Sequence, residues 1–184
     1  MLMAVFCLGA SLIGINAQEK DWANLQRYAQ QNAELPKPDK NEKRVVFMGN
    51  SITEGWVNTH PDFFKSNGYI GRGIGGQTSY QFLVRFREDV INLSPALVVI
   101  NAATNDIAEN TGAYHEDRTF GNIVSMVELA KANHIKVILT TTLPAAAFGW
   151  NPAIKDAPQK IASLNARLKA YAPVSYTHLT LPTT

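Results

Sequence analysis

The 184-residue chain is long enough for one domain with a substantial core and too short for two comfortable ones. Its hydrophobic content of 46%, charged content of 17% and formal net charge of +2 are those of an ordinary globular protein, and they give no electrostatic case for a nucleic-acid partner. The single cysteine, Cys7, excludes a disulfide framework and a thiolate zinc site, and the four histidines lack ligand spacing.

Residues 1–17 are apolar and uncharged and precede a polar stretch. This composition is typical of an export signal cut near Ala17, and its apolar core, Val5 to Ile15, is too short for a membrane-spanning helix. The alternative is a buried N-terminal helix. Phe6 is too bulky for the residue that precedes a lipid-modified cysteine, so we expect a soluble protein, exported to the periplasm or the outside of the cell, without stable membrane insertion.

Residues 18–43 are predicted to form an N-terminal helix and a linker. Apolar residues recur at helical spacing from Asp21 to Leu35, which predicts an amphipathic helix on the outside of the domain, with Trp22 and Tyr28 as core anchors. Residues 36–43 combine two prolines with many charges, a composition typical of a linker. The domain proper then begins at Arg44.

Strands and helices are predicted to alternate through the rest of the domain. The apolar runs that predict strands lie at 45–48, 69–74, 97–100 and 135–140. Helical patterns follow these runs from Ser51, from a cap at Ser79, from 120 to 133 and from 157 to 171, while Phe63 and Phe64 are expected to be buried. Such alternation favours an α/β fold with a parallel sheet covered on both faces.

Three of these strands end in polar loops that contain Ser51, Gly76 and Asn105. Ligands bind outside the carboxyl ends of the strands in open parallel sheets, so these loops can converge on one pocket. A serine on a strand-to-helix turn suits a nucleophile, and the backbone N–H groups of Ser51 and Gly76 with the side-chain amide of Asn105 can stabilise an oxyanion. The alternative for Ser51 and its neighbour Asn50 is an ordinary capping turn.

The sequences Gly49-Asn50-Ser51-Ile52-Thr53, Gly73-Ile74-Gly75-Gly76-Gln77-Thr78 and Thr104-Asn105-Asp106 resemble, in order and spacing, three signature blocks of the GDSL esterases, or SGNH hydrolases. The resemblance implies a flavodoxin-like three-layer α/β/α fold and hydrolysis of an ester through an acyl-serine, with no metal or cofactor. It implies that Ser51 is the nucleophile and that Gly76 and Asn105 are oxyanion donors. Asn50 stands where the family commonly has Asp, and Ala103 where it commonly has Gly.

The family pattern ends in Asp-x-x-His, which supplies the general base, and no Asp in this chain is followed three positions later by His. Ser175 stands at the matching offset from His178. Residues 174–184 contain no Asp, Glu, Lys or Arg and are rich in threonine, so they resemble a non-native tail. We therefore expect an incomplete SGNH domain at 44–173, with the last strand and the Asp-x-x-His segment missing and catalysis impaired.

The expected function is a serine esterase acting on a small acyl ester, such as an acetylated sugar or a lysolipid-like molecule. One alternative is a catalytically inactive SGNH-fold module that binds glycans or lipids. A second is a dinucleotide site, because residues 71–76 match the spacing G-x-G-x-x-G. Trp56, Phe148 and Trp150 are candidates for the lining of an acyl or sugar pocket, with burial in the core as the alternative.

Overall fold

The structure, a computed structural model, describes residues 21–174 and 178–180. The predicted export signal at 1–17 and most of the tail at 174–184 lie outside the described residues. One sheet contains five parallel strands in the order β2-β1-β3-β4-β5. The strands are β1 Val45–Gly49, β2 Tyr69–Gly73, β3 Leu97–Asn101, β4 Lys136–Thr140 and β5 His178–Thr180.

Helices connect these strands, as the alternating pattern predicts. The seven described α-helices are α1 Gln26–Glu34, α2 Ser51–Thr59, α3 Pro61–Ser66, α4 Ser79–Asp89, α5 Thr104–Ile107, α6 Glu116–Ala132 and α7 Ala157–Val174. A short 3₁₀ turn, Ile91–Leu93, follows α4. The pattern predicted neither α3 nor α5, which are the two shortest helices. Among the described residues, no helix combines the length and apolar character needed to cross a bilayer.

The helices form a layer on each face of the sheet. Buried side chains of α4, α6 and α7, among them Phe86, Met126 and Leu164, share one core with Val98 and Ile100 of β3. On the other face, aromatic residues of α2 and α3 contact Phe47 of β1. The strand order and the two helical layers confirm the predicted three-layer, flavodoxin-like fold.

The edge of the sheet beside β4 differs from the expectation that the last strand is missing. His178–Thr180 pairs in parallel with β4 in the register Ile138 to His178, Leu139 to Leu179 and Thr140 to Thr180. The unpaired backbone groups of an edge strand accept any extended segment of suitable sequence, and threonine favours extended structure. Three residues of the threonine-rich tail therefore occupy this edge.

Two of four predicted core aromatics lie at the surface instead. Tyr28 and Phe64 are buried, as predicted, whereas Trp22 is 47% exposed and Phe63 is 41% exposed. Phe63 stacks on Trp56, with ring centroids 5.4 Å apart, and this surface pair replaces burial in the core. Apolar spacing alone does not distinguish the two environments.

The predicted cap of α4 is wrong by one residue. Thr78 occupies the N-cap and forms a capping box with Gln81, whose side chain accepts from the Thr78 backbone N–H at 3.1 Å. Ser79 is the first helical residue, and its hydroxyl donates to Asp106. Ser79 therefore connects the start of α4 to Asp106 of α5 and does not cap α4.

Replacing two neighbouring valines of β3 with alanine should reveal how unequally the two faces are buried. Val98 is fully buried against α4 and α6, whereas Val99 faces the other layer and is only half-buried. We expect Val98→Ala to lower the free energy of unfolding by about 2 kcal/mol and the matched Val99→Ala by less than about 1 kcal/mol. Urea denaturation measures both, and equal losses would contradict the assignment of faces.

Candidate active site

Ser51 is the first residue of α2 and is exposed at the carboxyl end of β1. The Asn50 side chain caps the helix, because its Oδ1 accepts from the Ile52 N–H at 3.0 Å. Capping therefore explains Asn50 and leaves the Ser51 hydroxyl free of a structural duty in the cap. At Gly73 of the neighbouring strand, an added Cβ would stand 2.8 Å from the Asn50 carbonyl oxygen, so only glycine lets β2 approach this turn.

The loop that contains Gly76 lies beside Ser51. A Cβ built on Gly75 would be 3.8 Å from the Cβ of Ser51, which is ordinary van der Waals contact between the two loops. Gly76 has φ +75°, a left-handed conformation that favours glycine. Beyond the adjacent residues of the chain, only the Nδ2 of Asn110, at 3.9 Å, lies within 4 Å of a Cβ at Gly76, so backbone conformation rather than crowding requires this glycine.

Asn105 is buried in the short helix α5 and contacts the same loop. Its Nδ2 donates to the Gln77 carbonyl oxygen at 2.9 Å, one residue after Gly76. The preceding Ala103 has φ +83°, a strained conformation for a residue with a Cβ and one that the glycine common in the family would adopt freely. The structure thus places Ser51 at the start of α2, Gly76 in the loop after β2 and Asn105 in α5, in adjoining segments that follow the carboxyl ends of β1, β2 and β3.

A buried arginine that sequence reasoning missed joins two of these loops. The Arg85 guanidinium donates to the Gly49 carbonyl oxygen at 3.0 Å and to the Gln77 Oε1 at 2.6 Å, and it pairs with Asp89 at 2.8 Å. Burial lowers the pKa of Arg85, and the hydrogen bond and charge of Asp89 oppose that shift. The signal in the sequence is an Arg and an Asp four residues apart among the apolar residues of α4.

Asp106 joins the loop of Asn105 to two helices. Its carboxylate accepts from the backbone N–H of Ser79 at 2.9 Å, from the Ser79 hydroxyl, and from the Thr119 hydroxyl at 3.2 Å. Burial raises the pKa of Asp106, while these hydrogen bonds act in the opposite direction. Asp106, the neighbour of Asn105 in α5, therefore connects α5 to the start of α4 and to the first turn of α6.

The three candidate aromatics occupy different environments. Phe148 is buried in the core, and the exposed Trp56 belongs to the surface aromatic cluster of α2 and α3. Trp150 is exposed, and its Nε1 donates to Asn110 at 2.9 Å, while the Nδ2 of Asn110 donates to the Gly76 carbonyl oxygen at 3.0 Å. Trp150 is thus the one of these three that a hydrogen-bonded chain connects to the Gly76 loop.

The three histidines whose side chains the structure describes do not supply a base beside Ser51. His60 follows the last residue of α2, which puts it about 13 Å along the helix from Ser51. His134 lies between α6 and β4, at the amino end of the strands and therefore at the opposite end from Ser51. His115 lines a cavity of about 250 Å³ whose lining includes none of Ser51, Gly76 and Asn105. The side chain of His178 lies outside the described residues.

Residues 47–176 match the GDSL-like lipase/acylhydrolase family. The chain belongs to this family. Family membership confirms the resemblance found in the three sequence blocks. The glycines at 73 and 76 are explained by close packing on the Ser51 turn and by a left-handed backbone, so their spacing needs no dinucleotide.

Solved structures of two Bacteroides proteins are similar to this acylhydrolase-family chain. A protein of B. fragilis NCTC 9343 provisionally named an acylhydrolase is 94% identical, with a TM-score of 0.88 over 89% of this chain and 78% of that one. A GDSL-like lipase of B. thetaiotaomicron VPI-5482 is 75% identical, with a TM-score of 0.85 over 86% of this chain and 78% of that one.

A relative from Bacillus subtilis strain 168, the uncharacterized lipoprotein YqeF, is 32% identical over 54% of this chain and 48% of its own length. The chain therefore spans about half the length of this curated relative.

Among the described residues, no group of three or more His, Cys, Asp or Glu side chains has the geometry to hold a metal ion.

Replacing Asp106 with Asn should change how stability depends on pH. Because burial raises the folded-state pKa of Asp106 above its ordinary 3.8, its favourable contribution is present below the unfolded-state pKa and is lost as pH rises through the folded-state value. We expect wild type to lose stability relative to Asp106→Asn as pH rises from the ordinary Asp pKa of about 4 towards neutral pH. Urea titrations across this range measure the difference, and parallel pH profiles would contradict it.

Proposed function

We propose that this family member is a serine esterase that cleaves a small acyl ester through an acyl-serine intermediate. The single observation that carries the proposal is the adjacency of three segments. The Gly75 backbone lies against Ser51, and the Asn105 side-chain amide donates to the carbonyl oxygen of Gln77, two residues after Gly75. A hydroxyl beside a glycine-rich loop and a buried amide supplies a nucleophile and oxyanion donors, two of the parts that acyl transfer requires.

In this mechanism the Ser51 Oγ attacks the ester carbonyl carbon and loses its proton to a general base. The carbonyl oxygen becomes an oxyanion, which accepts from the backbone N–H groups of Ser51 and Gly76 and from the Asn105 Nδ2. One N–H of that amide already donates to Gln77, which fixes the amide plane and leaves the second N–H for the oxyanion. The protonated base then gives its proton to the leaving alcohol, and water releases the acid from Ser51.

The family pattern supplies the general base through Asp-x-x-His, and this sequence contains no Asp-x-x-His. We therefore propose that the 184-residue chain hydrolyses esters weakly. The same observation favours a second candidate, an SGNH-fold module that binds acylated glycans or lipids without cleaving them. The proposed substrate in either case is a small-molecule ester, such as an acetylated carbohydrate or a lysolipid-like molecule.

We also propose that the protein is exported. The apolar, uncharged residues 1–17 are typical of a signal sequence, and the relative YqeF is a lipoprotein, a class of exported protein.

Ser51→Ala tests the nucleophile in a chimera that joins residues 1–173 to the C-terminal part of the 94% identical B. fragilis protein. We expect the chimera to hydrolyse p-nitrophenyl acetate and Ser51→Ala to lose at least about a thousandfold in kcat, because the acyl-serine cannot form. The neighbouring Ile52→Ala is the matched control and should retain most of the rate.

An unchanged rate in Ser51→Ala would contradict the assignment of the nucleophile. A chimera that is folded by circular dichroism, binds the ester and yet shows no turnover would favour the binding module.

A further inference from the structure

The N-terminal segment 22–32 lies outside the residues matched by the family, yet it contacts the loop that contains Gly76. The Tyr28 hydroxyl donates to the Gly73 carbonyl oxygen at 2.5 Å, and the Gln77 Nε2 donates to the Ala23 carbonyl oxygen at 2.7 Å. These bonds anchor the loop on both sides of Gly75 and Gly76. The segment predicted to pack on the outside of the domain is therefore part of the scaffold of the candidate site.

Glu54 of α2 connects this segment to the loop itself. One carboxylate oxygen, Oε2, accepts from the backbone N–H of Gly75 at 2.8 Å, and the other, Oε1, accepts from the Arg27 guanidinium at 3.3 Å. Both side chains are partly exposed, so their ion pair contributes little by Coulomb attraction alone. The contact with Gly75, at 2.8 Å, is the shorter of the two, and a hydrogen bond from an amide to a carboxylate is stronger than one to a neutral acceptor.

Glu54 sits one turn after Ser51 on the same helix, which gives its carboxylate a fixed relation to the nucleophile. Its backbone N–H donates to the Asn50 carbonyl oxygen at 3.0 Å in the first turn of α2. The Gly75 N–H is thereby directed to α2, and the next peptide along the chain carries the Gly76 N–H. Rotation of the peptide that precedes Gly75 would change where the Gly76 N–H points.

We propose that Glu54 is a positioning residue for the oxyanion site, on a loop that the N-terminal segment also contacts. Glu54 fixes the Gly75 amide so that the Gly76 N–H stays in place for the developing oxyanion. This role rests on the proposed function, because it assumes that Gly76 is an oxyanion donor. A purely structural role, in which an acid in the first turn stabilises the helix N-terminus by its charge, is the competing explanation.

The two explanations predict different behaviour for Glu54→Gln and Glu54→Ala. Glutamine keeps an oxygen that accepts from the Gly75 N–H but loses the charge, whereas alanine loses both. If Glu54 positions the loop, Glu54→Gln rescues the function that Glu54→Ala loses. If Glu54 acts by its charge on the helix, the two variants lose the same amount.

The experiment compares both variants of the 184-residue chain by amide hydrogen exchange, residual hydrolysis of p-nitrophenyl acetate and urea denaturation. In Glu54→Ala we expect exchange at Gly75 to rise by about tenfold or more, because its amide loses its acceptor. We expect kcat to fall by about tenfold or more with KM unchanged within about twofold, because a displaced donor weakens transition-state binding selectively. In Glu54→Gln both values should stay within about threefold of wild type.

Three further variants keep the test decisive. Arg167→Ala is the matched control, since Arg167 also pairs with carboxylates on the surface, Glu116 and Asp117, and should change neither value. If Glu54→Ala does not fold, Glu54→Asp replaces it, since the shorter side chain keeps the charge and withdraws the oxygen from Gly75. Unchanged exchange at Gly75 in Glu54→Asp would equally overturn the proposal. Tyr28→Phe, which removes only the hydroxyl that donates to Gly73, should raise exchange at Gly75 less than Glu54→Ala does.

Unchanged exchange at Gly75 in Glu54→Ala, or equal losses in Glu54→Ala and Glu54→Gln, would overturn the proposal. If Ser51→Ala leaves the chimera active, the proposed nucleophile fails, while the exchange of Gly75 still decides whether Glu54 holds the loop. The two failures are therefore distinguishable.

Discussion

The candidate site depends on buried polar contacts that hold separate loops at fixed positions, and Arg85 makes the central one. Its guanidinium bonds the Gly49 carbonyl oxygen next to the Ser51 turn and the Gln77 side chain next to Gly76, with Asp89 as its charge partner. Desolvation makes a buried guanidinium costly unless its donors are satisfied. An arrangement that places all three acceptors around one side chain therefore strongly disfavours movement of either loop.

A parallel sheet brings the carboxyl ends of its strands to one side but does not fix the conformation of the loops that follow. Here Asp106 fastens the Asn105 loop to α4 and α6, and Asn110 and Trp150 extend the connections to the loop after β4. On the other side, the N-terminal segment contacts Gly73 and Gln77 through Tyr28 and Ala23. Each loop of the candidate site is thus bonded to at least one other, which is how a weak local preference of each loop becomes one defined arrangement.

The sequence predicted most of the fold because the relevant signals are local. Continuous apolar runs such as 97–100 and the helical spacing at 157–171 correspond to β3 and α7, and three short blocks indicated the family. The prediction that Trp22 and Phe63 are buried was wrong, because periodicity identifies an apolar residue without showing what packs on it. Contacts such as Arg85 to Gly49, Tyr28 to Gly73 and Glu54 to Gly75 join residues 21 to 45 positions apart, so no local pattern reveals them.

The most direct measurement of the central claim, that three loops form one acyl-transfer site, is a crystal structure of the chimera after reaction with a phosphonate ester. Phosphorus should be bonded to the Ser51 Oγ, with one phosphoryl oxygen within about 3 Å of both the Gly76 N and the Asn105 Nδ2. A phosphonate on another residue, or a phosphoryl oxygen that neither donor reaches, would contradict the account.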